Sequence, residues 1–143
     1  MDSAQILYAL ERERQLLQEF RTLSERQLVL LDDEDVDGVQ VLLDTRSDLM
    51  LELSAIESTL GTWIVQIHED PSVSPDVLGE LRTINDDIVE LAGQVVELDE
   101  QTHWRLDLIK QKAGDELREI STGVEALGRY DAQYGNTNFE LRM

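Results

Sequence analysis

The chain has 143 residues, of which 31 are acidic and 12 basic, and its formal net charge is −19. Such a charge repels nucleic acids and anionic lipids, whose recognition needs a basic surface. Because the chain contains no cysteine, disulfides and thiolate zinc sites are excluded. The hydrophobic fraction of 41% is too high for a disordered chain, so we expect one folded domain.

The first predicted element is an amphipathic helix that begins near Ser3, whose hydroxyl suits an N-cap. Apolar side chains then recur every three or four positions with charges between them, which is the pattern of a helix with one buried stripe. The main stripe residues are Ile6, Leu10, Leu17, Phe20, Leu28 and Leu31. Acidic residues 32–35 interrupt the stripe, and Asp33 or Asp35 is expected to cap the next helix.

The second predicted helix carries the stripe from the acidic turn to His68. Its apolar residues are Val36, Val39, Leu43, Met50, Leu53, Ile56, Leu60, Ile64 and Ile67. Because so short a link joins two long helices, residues 3–68 are predicted to fold as an antiparallel hairpin. Residues 69–74 form the linker that follows.

A third, long helix is predicted over residues 75–128. Ser74, Pro75 and Asp76 combine an N-cap, a proline at the first helical position and an acid in the first turn. Its stripe includes Leu81, Ile88, Val95, Leu106, Ile109, Ala113, Leu117, Ile120, Val124 and Leu127. Bends at Gly93 or Gly114 stay open, since glycine weakens a helix without changing this spacing.

The periodicity ends after Leu127, and residues 129–143 are predicted to be a flexible C-terminal tail. Tyr130, Tyr134 and Phe139 lie in this Gly- and Asn-rich segment, which is too short to pack on itself. Clustered aromatic side chains are typical of docking segments. The alternative is that they cap the open end of the helices.

Asp33, Asp35, Asp37 and Gly38 match the opening of an EF-hand calcium loop. The match fails further on, because Asp44 stands where the bidentate glutamate belongs and the residues continue a helical stripe. Helix capping is therefore the favoured role of these carboxylates.

No catalytic motif is present, so we expect neither enzyme activity nor a cofactor. His68 and His103 are the only histidines and have no partner at metal-ligand spacing, so they are expected at the surface or partly exposed. Trp63 and Trp104 lie on or beside apolar stripes and are predicted to pack in the core or at the hairpin edge.

One pattern resembles the FlgN-type flagellar export chaperones. It runs through a leucine-rich helix, an acidic turn with Asp35, and a second leucine-rich helix in which Arg46 stands where the family often has lysine. The matching residues are Glu25, Arg26, Gln27, Leu30, Leu31, Leu42, Leu43, Leu49, Met50 and Leu53. Residues 98–102 are similar to the family's polar patch, and residues 130–135 to its Tyr- and Gly-containing end.

The resemblance implies a cytoplasmic chaperone of flagellar type III secretion, which binds hook–filament junction proteins before export and passes them to the export apparatus. In that case, Tyr130, Tyr134 and Phe139 of the C-terminal tail would dock to the export gate. Such a client offers an amphipathic terminal helix, which an apolar groove can hold. The groove is expected on the third helix, whose stripe outlasts the hairpin. Its predicted residues are Leu106, Ile109, Ala113, Leu117, Ile120, Val124 and Leu127.

The predicted fold is all-α, an antiparallel hairpin plus a long third helix in an elongated bundle or coiled coil of three to four helices. Residues 1–128 would form one domain, without nucleic-acid binding or membrane insertion. The competing function is a coiled-coil scaffold or assembly factor that acts through self-association as a homodimer. A metal-dependent helical enzyme is a third and less favoured alternative.

Overall fold

The structure is a computed structural model that describes residues 2–113. These residues form three α-helices and contain no strand: α1 spans Ser3–Asp32, α2 spans Val36–Glu69 and α3 spans Pro75–Ala113. The predicted all-α fold is confirmed for this part of the chain. Helix α3 passes Gly93 as one continuous helix, while Gly114 lies outside the described residues. No stretch of these three helices is apolar over a length that could cross a membrane.

Helix α1 is capped by Asp2, so the prediction that Ser3 is the N-cap was wrong. The Asp2 carboxylate accepts a hydrogen bond from the Gln5 backbone N–H at 3.0 Å, and the Gln5 side-chain oxygen accepts one from the Asp2 N–H at 3.2 Å. This reciprocal pair is a capping box. With Ser3 as the N-cap, Ile6 would stand at the third helical position. Its side chain has no acceptor for the backbone N–H of Ser3, so a capping box could not form.

The acidic turn between α1 and α2 is a helix start, as predicted. Asp35 is the N-cap of α2, and its Oδ1 accepts from the Gly38 N–H at 2.9 Å. Glu34 takes a positive φ of 56°, which lets the chain reverse before the cap. A Cβ on Gly38 would lie 2.7 Å from Oδ2 of Asp35, so glycine leaves room for the capping carboxylate.

The linker between α2 and α3 is held by short-range hydrogen bonds. Asp70 Oδ1 accepts from the Ser72 hydroxyl at 2.6 Å and from the Ser72 N–H at 2.9 Å, and these bonds lower the pKa of Asp70. Ser74 Oγ accepts from the Val77 N–H at 3.3 Å, and Pro75 is the first residue of α3. The predicted start of the third helix is confirmed.

Helix α1 packs closely along both other helices, whereas α2 and α3 approach each other less closely. Its contacts with α3 keep one sequence offset of 73 residues, so the two helices run parallel. The pairs are Arg14–Asp87, Arg21–Gln94 and Arg105–Asp32. Contacts with α2 instead join Gln27 to Arg46 and Arg12 to Glu52. The residue number falls along α1 while it rises along α2, so these two helices run antiparallel.

The interior contains two apolar clusters of unequal size. The large cluster has 16 buried residues, which include Phe20, Ile64 and Ile88 and come from all three helices. The small cluster lies near the α1–α2 turn and has five: Leu30, Leu31, Val39, Leu43 and Leu106. Burying one Leu or Ile contributes roughly 1.5–3 kcal/mol, so the large cluster supplies most of the apolar stabilisation.

Candidate functional site

A buried polar layer lies between the two apolar clusters and joins all three helices. Arg46 of α2 is fully buried, and its Nη2 donates to both carboxylate oxygens of Asp99 on α3 at 2.8 and 2.7 Å. Its Nη1 donates to the side-chain oxygen of Gln27 on α1 at 2.5 Å. The guanidinium carbon lies 4.5 Å from the centroid of the Phe20 ring, within the range of a cation–π contact.

The electrostatics of this layer indicate a structural role. Burial raises the pKa of Asp99, and the charge and hydrogen bonds of Arg46, together with His103, offset only part of that effect. A buried ion pair of this kind adds little net stability, because desolvation opposes the Coulomb attraction, but it can fix the register of the elements that it joins. The layer joins α2 to α3, which approach each other less closely than either approaches α1.

The sequence contains a pattern that predicts a buried polar layer, but helical periodicity alone does not identify which residues pair with each other. Gln27, Arg46 and Asp99 each occupy an inward position of an apolar stripe, where a polar residue needs a buried partner. Arg46 and Asp99 were part of the pattern that resembles the flagellar chaperones, and both lie inside the protein. Phe20 was assigned to the stripe, but its contact with Arg46 depends on tertiary packing.

The predicted client-binding residues on α3 lie partly in the interior. Leu106 has 1% of its surface exposed and belongs to the small cluster, while Ile109 is half-buried against that cluster. Ala113 is the last residue of α3. The predicted client residues Leu117, Ile120, Val124 and Leu127, and the docking residues Tyr130, Tyr134 and Phe139, lie outside the described residues.

The two tryptophans differ in burial. Trp63 is half-buried and packs against the large cluster, as predicted. Trp104 is 68% exposed, so the prediction that it packs in the core or at the hairpin edge was wrong. The reason is helical phase: Thr102 and Leu106 face the interior, and a residue two positions from each is rotated by about 200°, to the opposite side.

The outer side of the α1–α2 hairpin carries an open groove with a volume of about 510 Å³. Its floor contains Leu23 and Leu49, and Glu19 is its one charged lining residue. The full lining is Gln15, Gln18, Glu19, Thr22, Leu23, Thr45 and Leu49. We call this feature the α1–α2 groove. Few charges line it, although 30% of the residues of the chain are charged.

On the linker side of the α1–α2 groove, beyond the charged residues 11–14 and Glu52, both helices carry few charges. Tyr8 precedes Gln15 by seven residues, and Ile56 and Trp63 follow Leu49 by seven and fourteen, so they share the helix faces that line the groove. Tyr8 is 76% exposed. Residues 3–10 carry no charge, and residues 53–67 carry one, at Glu57. Depletion of charge together with aromatic side chains is typical of the centre of a protein interface.

An ion pair lies between the α1–α2 groove and this uncharged end. Arg12 donates to Oε1 of Glu52 from Nε at 3.2 Å and from Nη2 at 2.8 Å. Both side chains are substantially exposed, so the pair contributes little stability. Because the pair consists of one positive and one negative charge, it leaves the net charge of this face unchanged.

A second cavity, of about 520 Å³, lies at the linker end of the molecule and is mostly polar. It is lined by Asp2, Ser3, Gln66, Ile67, Asp70, Ser72, Val73, Ser74 and Val77. Within residues 2–113, no group of three or more His, Cys, Asp or Glu side chains is arranged to hold a metal ion. His68 is exposed and His103 is half-buried, as predicted.

Comparisons with known proteins gave no match: no family model matches the chain, and neither the curated proteins nor the solved structures include a significant match. The resemblance to FlgN-type chaperones therefore stays a prediction. Function is inferred from the chain's own residues and geometry.

Proposed function

We propose that this protein binds a protein client in the α1–α2 groove, in the manner of a helical export chaperone. The observation that carries the proposal is this apolar groove with a single charged lining residue, on a chain with a net charge of −19. The three helices would act as an elongated bundle that presents one surface for binding. The protein itself would work in the cytoplasm.

The shape of the surface suits an amphipathic helix. Leu23 and Leu49 form an apolar floor, and the amides and hydroxyls around them can accept a variety of client side chains. From Tyr8 to Thr22 the surface extends over 14 residues of α1, or about 21 Å at 1.5 Å per residue. That length accommodates about four turns of a client helix.

The charge of the protein supports a chaperone role. An acidic surface outside the groove opposes self-aggregation of the loaded complex and excludes nucleic acids. It also favours clients with basic or neutral surfaces. By the sequence resemblance, the clients proposed are hook–filament junction proteins of the flagellum, delivered to the export apparatus by the residues beyond α3.

The test compares two threonine substitutions that are matched in structure. Thr22 lies in the groove and Thr83 on α3; both are exposed, and each hydroxyl donates to the carbonyl four residues earlier at 3.0 Å. Thr22→Arg would fill the groove, and Thr83→Arg adds the same charge elsewhere. The probe is a synthetic C-terminal peptide of a hook–filament junction protein, titrated by calorimetry.

We expect Thr22→Arg to weaken peptide binding at least tenfold and Thr83→Arg to leave it unchanged, with equal helical circular dichroism in both variants. Equal affinity of the two variants would place the client elsewhere. Absence of binding to the unmodified protein would reject this client class.

Self-association is the second candidate function, and the exposed apolar side chains of α2, such as Leu51 and Val41, favour it. Sedimentation equilibrium separates the two. A monomer that forms a one-to-one complex with the peptide supports the chaperone, and a tight dimer without peptide affinity supports the scaffold.

A further inference from the structure

Helix α3 exposes two large apolar side chains one turn apart. Trp104 is 68% exposed and Leu108 is 43% exposed. Both lie on the side of α3 that faces away from Leu106, which is buried in the small cluster. Because α3 contributes no residue to the lining of the α1–α2 groove, this pair forms a separate surface.

Acidic side chains flank the Trp104 end of the pair, whereas Lys112 lies one turn beyond Leu108. Glu100 and Asp107 lie about one turn to either side of Trp104, Glu97 lies two turns before it, and all three are exposed. Arg105, the nearest base, forms an ion pair with Asp32 of α1. Lys110 and Lys112 occur only in the last turn of α3. The local charge around Trp104 is therefore negative.

We propose that Trp104 and Leu108 anchor a second docking surface, which binds a basic amphipathic helix of a partner protein. Trp is the residue most enriched among those that dominate binding energy. Its ring can pack on apolar side chains of the partner and hold a lysine or arginine over its face. The carboxylates of Glu97, Glu100 and Asp107 attract the partner's cations and raise its association rate.

The negative charge around Trp104 also favours a basic partner protein over a second copy of this chain as the occupant of this surface. Two copies meeting at Trp104 would bring together two acidic surfaces on molecules of net charge −19, which opposes association. A basic helix instead meets complementary charges. The surface is independent of the α1–α2 groove, so both could be occupied at once.

The experiment uses the full chain and two synthetic peptides. The first is an 18-residue helix with leucines at every third or fourth position and lysines on both flanks. The second has the same composition in scrambled order, so it keeps the charge and loses the apolar stripe. The chain has two tryptophans, so a Trp63→Phe background reports Trp104 fluorescence alone. Affinity is measured by anisotropy of the labelled peptide.

We expect the amphipathic peptide to shift Trp104 emission to the blue, and to bind at least tenfold more tightly than the scrambled peptide. Trp104→Ala should weaken its binding at least tenfold and Leu108→Ala about threefold. The matched control Leu51→Ala, at a residue of α2 that is 71% exposed, should leave it unchanged.

Several results would overturn the proposal. Equal binding of the two peptides would show nonspecific charge attraction, and full affinity of Trp104→Ala would place the site elsewhere. Loss of binding in Thr22→Arg would assign the peptide to the α1–α2 groove. A blue shift that depends on protein concentration without peptide would show that a second copy covers Trp104. Failure of the flagellar client to bind the groove leaves the expected results here unchanged, so the two proposals fail separately.

Discussion

The linker half and the turn half of this protein are built differently. Toward the linker, 16 buried apolar residues form one cluster, and Glu13 and Asn85 are buried within the same span of α1 and α3. Toward the α1–α2 turn, the layer of Gln27, Arg46 and Asp99 interrupts the apolar interior, and within residues 2–113 the apolar cluster beyond it has five buried residues. Apolar packing is non-directional, whereas the charge-assisted hydrogen bonds from Arg46 Nη2 to both carboxylate oxygens of Asp99 are directional. The first half mainly supplies stability, and the polar layer sets the alignment of the helices.

The largest effect is expected from breaking the polar layer on one side. Asp99→Leu leaves the Arg46 guanidinium buried beside an apolar side chain, and arginine cannot release its proton. We expect a loss of about 3–5 kcal/mol in the free energy of unfolding, measured by urea denaturation followed by circular dichroism. Arg14→Ala, which removes the partly exposed pair with Asp87, should change stability far less.

A triple variant tests whether the polar layer adds net stability compared with an apolar interior. Gln27→Leu, Arg46→Met and Asp99→Leu together replace the layer with apolar side chains of similar size. Because the desolvation cost disappears with the charges, we expect stability equal to that of the unmodified protein or greater by about 1–4 kcal/mol. A triple variant as unstable as Asp99→Leu would show that the layer supplies net stability.

Cavities in the two apolar clusters should differ in cost. Ile88→Ala in the large cluster should reduce the free energy of unfolding by roughly 3–5 kcal/mol, and Leu106→Ala in the small cluster by roughly 2–3 kcal/mol, within the range of such substitutions. The small cluster has five buried residues within the described part of the chain against 16 in the large one, so we expect a smaller loss of apolar contact at Leu106. Equal losses in the urea midpoint, at an unchanged slope, would contradict the division of the interior into unequal halves.

The smallest effect is a pH dependence of the polar layer. Burial raises the pKa of Asp99 above the ordinary aspartate value of 3.8. A carboxyl whose folded-state pKa is raised contributes stability below its unfolded pKa and loses it as pH rises through the folded value. Measured against Asp99→Asn, the unmodified protein should therefore lose relative stability as pH rises above the ordinary aspartate pKa of 3.8. An opposite slope would mean that Arg46 dominates and lowers the pKa.

Local signals in the sequence predicted most of the helical framework, because helix starts depend on neighbouring residues. Position before an apolar stripe predicts Asp33 or Asp35 as the cap of α2 and Ser74 as the cap of α3, and Asp35 and Ser74 make the capping bonds. Asp2 and not Ser3 caps α1 because the Gln5 side chain completes a capping box with Asp2. All of these interactions span three residues, so no tertiary information was needed to find them.

The candidate surfaces depended on tertiary structure. The α1–α2 groove combines residues of two helices, such as Thr22 and Thr45, and its shape requires their antiparallel alignment. Trp104 was assigned to the interior because it lies beside a stripe, and only the orientation of α3 against α1 showed that it is exposed. A stripe of periodic apolar residues predicts that a face is buried, but its edges are set by the neighbouring helices.

The sequence by itself determined the all-α class, the places where the helices begin, and the strongly acidic surface, because these follow from spacing, capping and composition. Only the tertiary structure decided that Arg46 binds Asp99 across 53 residues, that Leu106 is covered by α1 and α2, and that Trp104 is exposed. The physical reason is that helical periodicity specifies which residues share a face, whereas packing specifies what that face meets.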